Sequence, residues 1–296
     1  MITEPLTTPS SRILRIFYGI LVGLLFAPQV HVGALYFSPE LALITGNVFS
    51  YLVGSKKRLT LKFKYAKQLA PDTGEFVFEP DTAINFRPGQ YLEWTLGHDQ
   101  VDLRGNRRYF TIASSPTEKD LLLGVKFYEK PSTFKKSLAN MKTGDTMIAS
   151  QLSGDFVLPR NKNKKLVFIA GGIGVTPFRS MIKYLIDTGE KRDVVLIYAN
   201  KTEADIAYKD ILDLGVKTFN LKIIYVISEQ KDKSIIWNGK MGYVDAKMIT
   251  EEIKDFRDRY FYISGPPSMD SGTGNVLKNI GVSGSHIKTD FFPGFA

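Results

Sequence analysis

The sequence predicts a mixed fold: an antiparallel β-barrel followed by an α/β domain with a parallel sheet, the two preceded by transmembrane helices. Three observations carry that prediction. Residues 1–58 contain two long apolar stretches, 59–160 contain short alternating runs between turn residues, and 161–296 repeat a strand-then-helix rhythm. A chain of 296 residues has room for two cores of ordinary size.

At the N-terminal end, a polar lead closes with Arg12 and Arg15, and Ile16 to Ala27 is then uncharged and almost wholly apolar. After Pro28, the stretch from Val30 to Val53 carries one formal charge, Glu40, and ends at Lys56, Lys57 and Arg58. A membrane span needs about 20 predominantly apolar residues. Residues 32–53 supply that length, and 13–30 supply it if Arg15 snorkels. Basic residues flank both outer ends, which favours a hairpin with both ends cytoplasmic. The expectation is therefore a membrane anchor over 1–58, with one or two spans. The lipid bilayer is then a partner, as are the subunits of a membrane complex. The location is the cell membrane, with the folded domains on its cytoplasmic face. A cleaved signal peptide is the rival reading, but no persuasive cleavage site is present and a second apolar stretch follows closely.

From Leu59 the pattern shortens. Strands are expected at 59–65, 76–78, 90–96, 109–113, 121–127 and 146–150, with a short helix at 133–141. Turns at 71–74, 87–89, 97–98 and 142–145 carry glycine, and most also carry proline or aspartate. Six short strands suit a small antiparallel barrel, and the polar run 161–165 marks its boundary with the next domain. Beyond it, strands are expected at 166–170, 193–198, 221–227, 259–263 and 286–290. Helices are expected at 177–187, 203–214, 247–256 and 271–279. Strands spaced by helices argue for a parallel sheet covered on both faces.

Composition narrows the chemistry. There is no cysteine, so the chain ligates no iron–sulfur cluster through thiolates and uses no cysteine nucleophile. Its three histidines, His31, His98 and His286, are widely spaced, which argues against a haem or zinc site. The formal charge is +9, which suits an anionic partner. With no recognition motif in the chain, nucleic acid is not expected among its partners.

Three segments carry the candidate chemistry. In Gly171, Gly172 and Gly174, followed by Thr176 and Pro177, glycines after an apolar strand permit a tight turn and close approach of a diphosphate. Thr176 suits an N-cap and Pro177 a first helical residue, leaving a helix N-terminus for an anion. Gly265, Pro266 and Pro267 fall at the same carboxyl end of the sheet, where ligands of open α/β sheets bind. In the third segment, alternation puts Arg108 and Phe110 on one face, with Tyr109 and Thr111 on the other. An arginine clamps phosphate, a ring covers an isoalloxazine and a hydroxyl sits near flavin N5.

Together, in this order, the segments resemble the ferredoxin–NADP reductase superfamily over residues 59–292. That resemblance implies a flavin-binding barrel at 59–160 and a nicotinamide-nucleotide domain at 161–296. The cofactor it implies is FAD, with FMN as the alternative, and the electron donor is NADH or NADPH. It makes Arg108 the flavin-phosphate ligand, Phe110 the ring on the flavin and Thr111 the group at N5. Tyr109, Ile112, Ala113 and Ser114 continue the pattern. Phe110 stands where the family usually has tyrosine, and an alternative register uses Arg107 and Tyr109 instead. Thr133 and Lys136 fall in the second phosphate segment, and Lys126 joins the cofactor set. Ser264 stands where the family has a cysteine beside the nicotinamide, and Asp290 with Phe292 resembles a terminal acidic–aromatic pair. The implied activity is hydride transfer from NAD(P)H to flavin, then electron transfer to a quinone, a redox protein or another acceptor. The rival readings are a membrane-anchored assembly protein retaining a degenerate reductase fold, and a ferric or small-molecule flavin reductase.

Overall fold

A computed structural model describes Pro9 and residues 12–27, 31–32, 35–36, 38–54, 57–219, 221–230 and 236–290. Its N-terminal part contains helix α1 (Arg12–Leu25), the two-residue strands β1 (His31–Val32) and β2 (Leu35–Tyr36), and helix α2 (Pro39–Val53). Tyr18 and Val22 of α1 are buried against Gly46 of α2, where an added Cβ would lie 2.5 Å from Val22. Arg15 ties α1 to Asp155 across 3.0 Å.

These elements overturn the transmembrane expectation. Among the described residues no helix is long and apolar enough to cross a membrane. At 1.5 Å per residue, α1 and α2 extend about 21 and 22 Å, against a hydrocarbon core of about 30 Å. The apolar stretch 32–53 is not one helix: its first residues pair as β1 and β2, and α2 starts only at Pro39, capped by Ser38. The N-terminal membrane segment, the bilayer and membrane-complex partners, the cell-membrane location and the membrane-anchored assembly protein all rested on that length, and are withdrawn with it.

Next come β3 (Leu59–Ala70), β4 (Thr73–Pro80), β5 (Tyr91–Thr95), β6 (Arg107–Thr111), β7 (Leu121–Lys126), α3 (Thr133–Ala139) and β8 (Thr146–Ser153). The alternation read from sequence is real: Leu59, Leu61 and Phe63 are buried while Thr60 and Lys62 are exposed. The antiparallel sheet has the order β6-β5-β8-β3-β4-β7. It curls around a core containing Phe78, Trp94, Phe110 and Phe134. It is a half-barrel and does not close. Strands β6 and β7 are its edges, bridged just beyond β6 by the Ala113 N–H donating to the Leu122 carbonyl at 2.9 Å. Alternation specifies which face of each strand is buried and leaves closure to the edges.

The parallel sheet follows: β9 (Leu166–Gly171), α4 (Thr176–Thr188), β10 (Val194–Asn200), α5 (Lys209–Phe219), β11 (Lys222–Ile227), β12 (Lys240–Met241), α6 (Ala246–Glu252), β13 (Tyr260–Ser264), α7 (Pro267–Asn279) and β14 (Ile287–Thr289). Its order is β12-β11-β10-β9-β13-β14. The helix expected at 203–214 is split. Thr202 and Asp205 close a reciprocal cap over one 3₁₀ turn, and Tyr208 sits at φ 59° before α5 begins. The helix expected at 247–256 ends at Glu252 and is followed by a 3₁₀ turn, Phe256–Asp258.

One hydrophobic core runs across the seam between the two sheets, joining Val77, Ala113 and Leu122 to Phe168, Phe178 and Tyr262. Phe178 of α4 stacks on Phe168 at 4.6 Å and meets Phe156 at 5.7 Å. Truncating a fully buried phenylalanine loses its transfer energy and leaves a cavity. Phe178→Ala is expected to cost about 3–5 kcal/mol, read as a lowered midpoint in urea unfolding.

Candidate functional site

Strand β6 pairs with β5 so that Trp94 lies opposite Arg108, Leu92 opposite Phe110 and Tyr91 opposite Thr111. Arg108 and Phe110 therefore share the face that looks toward α3. The Arg108 guanidinium lies 5.3 Å over the Phe134 ring, and Phe110 packs on the same ring at 6.0 Å. Arg108 is 2% exposed. Its Nη1 donates to the carbonyls of Arg104, Gly105 and Arg107, while Nε and Nη2 make no hydrogen bond. A buried guanidinium with unused donors is costly unless an acceptor arrives. The alternative pair lies on the opposite face: the Tyr109 hydroxyl donates to Glu93 at 2.9 Å, and exposed Arg107 lies 3.7 Å from the same carboxylate.

Around α3 the structure rearranges the sequence assignments. Thr133 is occupied, its N–H donating to Asp102 at 3.1 Å and its hydroxyl engaging His98 and the Asp102 N–H. Lys136 is exposed, and it is Lys135 that is buried, donating to the Lys126 carbonyl at 2.8 Å. Burial, reinforced by Arg108 and Arg104, pushes the Lys135 ammonium down to about 8. The Ser132 cap sets the phase of α3, and that was the available signal for Lys135. Arg104, Arg108 and Lys135 form a cationic group in which Asp102 pairs with the two arginines. Such a group fits a phosphate-bearing cofactor.

Ile112, Ala113 and Ser114 are fully buried and serve the seam. The Ala113 carbonyl accepts from Arg179, and the Ser114 carbonyl accepts from Ser180 at 2.6 Å. Arg179 also grips both oxygens of Glu118. A cavity of about 360 Å³ opens beside this pair, lined by Lys67, Glu75, Glu118, Arg179 and Tyr208 among others, and by none of the candidate site residues read from the sequence.

The two glycine motifs meet directly. An added Cβ on Gly174 would lie 2.2 Å from the Ser264 carbonyl, and one on Gly171 would lie 2.4 Å from Met269 Sδ. These two glycines allow loop to touch loop. Gly172, at φ +53° with open space above it, is the one free to face a ligand. Thr176 is the first residue of α4, and its hydroxyl turns back to the Ile173 carbonyl at 3.2 Å; no side chain caps the helix. A 3₁₀ turn, Gly172–Val175, runs directly into α4: the Thr176 N–H donates to the Ile173 carbonyl, and Pro177 has no N–H to offer. On the other side Gly265 contacts Gly171, and Pro266 and Pro267 start α7.

Thr111, Ser264 and Asp290 converge from the two sheets. The Ser264 hydroxyl donates to Asp290 at 3.4 Å, and the Thr111 hydroxyl approaches Asp290 without closing a well-formed bond. Burial pushes the Asp290 carboxyl up to about 8, with Asp270 adding to the rise. Asp270, itself raised to about 7 by burial, was not visible in the sequence because nothing local distinguishes it from a surface residue of α7. Phe292 lies outside the described residues.

With this geometry in place, residues 168–274 match the family model of the oxidoreductase NAD-binding domain. The chain is 29% identical over 228 residues to NADH-cytochrome b5 reductase 1 of Mortierella alpina, covering 74% of each. It is 27% identical over 216 residues to a flavohemoprotein of Bacillus cereus, covering 70% of this chain and 53% of that one, so it spans about half of that relative. Its fold resembles the flavohem-like FAD/NAD-binding domain of nitric oxide dioxygenase from Vibrio cholerae O1 biovar El Tor. The TM-score is 0.69 at 18% identity, covering 78% of this chain and 97% of that domain, a likeness of fold alone. The chain is an NAD(P)H-dependent flavoprotein oxidoreductase that takes FAD, with NAD(P)H as electron donor.

Asp290 gives the site a pH signature. Its carboxyl ionises near the ordinary 3.8 in the unfolded chain and at about 8 in the folded one. As pH rises through that window the unfolded state loses its proton first, so stability falls. The urea midpoint is expected to drop from pH 5 to pH 8, and Asp290→Asn should flatten that slope; an identical slope in the variant would remove Asp290 as its source.

Proposed function

We propose that the cleft between the half-barrel and the carboxyl end of the parallel sheet brings NAD(P)H against FAD. In this reading residues 59–160 hold the flavin and 161–296 hold the nucleotide. The observation that carries it is the convergence of Thr111, Ser264 and Asp290 beside the touching glycine motifs. Bound together, the two cofactors supply hydride chemistry, and the protein supplies position, electrostatics and exclusion of water.

Each group has a defined task. Arg108 offers its unused Nε and Nη2 donors to the flavin phosphates, with Lys135 and Arg104 adding charge. Gly172 and the 3₁₀ turn that leads into α4 hold the nucleotide diphosphate. Ser264, 2% exposed, forms the wall at the nicotinamide end. Asp290 remains protonated below about 8, keeping a proton at its carboxyl beside the Ser264 and Thr111 hydroxyls. Thr111 is the residue placed to pass it toward the flavin ring. Electrons then leave to an acceptor outside the chain. The similarity to a cytochrome b5 reductase favours a redox protein over a quinone or a ferric complex.

The test is a visible spectrum of the purified protein during anaerobic titration with NADH or NADPH. A bound flavin that bleaches is the expected result, and bound flavin that neither nucleotide bleaches would sink the reading. Arg108→Ala should weaken flavin retention by at least about tenfold, the loss of one charge-assisted phosphate contact. Gly174→Val should keep the flavin and lose bleaching, because its Cβ would displace the Ser264 wall.

A further inference from the structure

The cavity of about 360 Å³ beside the Arg179–Glu118 pair has no part in the cleft chemistry. It lies across the seam. Strands β3 and β4 of the half-barrel supply one wall, and Arg179 of α4 with the start of α5 supplies the other. Small-molecule sites occupy about 300–1,000 Å³, so the space suits a small ligand. Val77, Leu122 and Ile211 give it an apolar lining, and Tyr65, Lys67 and Asp210 are exposed beside them.

Its buried polar groups are the informative part. Glu75 is 7% exposed, and its Oε2 is sealed from solvent with no hydrogen bond. The Tyr208 hydroxyl approaches that carboxyl without closing a well-formed bond. Tyr208 reaches it from a left-handed backbone, at φ 59°, a conformation that a bulky residue keeps only where its surroundings enforce it. Gly124 leaves the room: a Cβ there would lie 2.6 Å from the Tyr208 hydroxyl. The neighbouring charges are engaged elsewhere. Arg179 holds both oxygens of Glu118, and Lys64 pairs with Asp120 at 2.8 Å. Lys67 stands opposite Glu75 in the β3–β4 register but is exposed and acts on it only from a distance. Among the described residues Glu75 is thus a buried carboxyl with no cation in contact. Burial pushes it up, against the more distant pull of Arg179 and Lys67, and a cation placed beside it would restore its ionised form.

We infer that this cavity binds a small organic amine, its ammonium against Glu75 and its apolar body along Val77, Leu122 and Ile211. An ammonium brings three donors and a positive charge. Glu75 supplies a charged acceptor, and burial keeps Tyr208 a neutral phenol whose oxygen accepts as well. The rings of Tyr65 and Tyr208 add the attraction of an aromatic face for a cation. An anion meets the reverse: the buried guanidinium is already forked onto Glu118, and Glu75 and Asp210 oppose it. An occupant touches the half-barrel and the α4–α5 side together, so it bridges the seam that Arg179 clamps.

Isothermal titration of the flavin-loaded full chain at neutral pH compares benzylamine, a cation, with benzyl alcohol, its neutral near-isostere. Benzylamine is expected to bind at least about tenfold more tightly. Glu75→Gln keeps the shape of the side chain and removes its charge, and should erase that preference. Ile211→Trp fills the space and should abolish binding of both probes, with retained flavin absorbance showing that each variant is folded. Failure of benzylamine to bind, equal affinity for the two probes, or a preference unchanged in Glu75→Gln would each overturn the proposal. Bleaching by NADH or NADPH reads the cleft and not this cavity, so the two readings stand or fall separately.

Discussion

The geometry of the site depends on one constraint, the clamping of α4 between the end of β6 and the parallel sheet. Arg179 holds both oxygens of Glu118 and the Ala113 carbonyl, Ser180 holds the Ser114 carbonyl, and Phe178 stacks on Phe168. The first residue of α4 closes the nucleotide loop, and Ala113 lies two residues beyond Thr111. The separation between the end of β6 and the loop that starts α4 is therefore set by a few short bonds at the seam. A planar guanidinium forked onto a carboxylate fixes direction as well as distance. Breaking such a buried pair strands a charge, so the two sheets are discouraged from drifting apart at the place where a small displacement would matter most for reacting groups.

The same need for closeness explains the small residues on the other side of the cleft. Gly174 and Gly171 leave no room for a side chain against Ser264 and Met269. Their absent side chains bring the end of β13 beside the end of β9, which moves Ser264 and Asp290 next to the loop that starts α4. Burying Asp290 there has an energetic penalty, and the carboxyl answers it by keeping its proton. A proton held at a buried acid is useful to redox chemistry, so the penalty and the function share one origin.

Much of this was legible in the chain, for local reasons. Period-two alternation located every strand of the half-barrel and correctly opposed Arg108 and Phe110 to Tyr109 and Thr111. It does not say which edges pair, so it predicts an antiparallel barrel where the sheet is a half-barrel. At the N-terminus, hydropathy registered an apolar run and was blind to the break inside it, where β1 and β2 pair before the Ser38 cap starts α2. Thr133 and Lys136 are suggested only by position in a segment, and a single residue step around the helix separates exposed Lys136 from buried Lys135. Asp270 and Arg179 acquire their importance from partners far away in sequence. Only the folded chain reveals them.

The two ends of the cofactor site differ in electrostatic character, and the difference follows from what each end must do. Near α3, Arg104, Arg108 and Lys135 gather around Asp102 among the described residues, and burial lowers the Lys135 ammonium to about 8. An anion arriving there strengthens every one of those charges in a medium that screens them poorly. At Asp290 the opposite holds: the same desolvation removes charge, leaving a neutral acid among hydroxyls. A flavin dinucleotide has the matching asymmetry, with charge in its diphosphate and none in the reacting ring. In the proposed cleft, burial therefore favours one orientation of the cofactor, with its phosphates toward Arg108 and its ring toward Ser264.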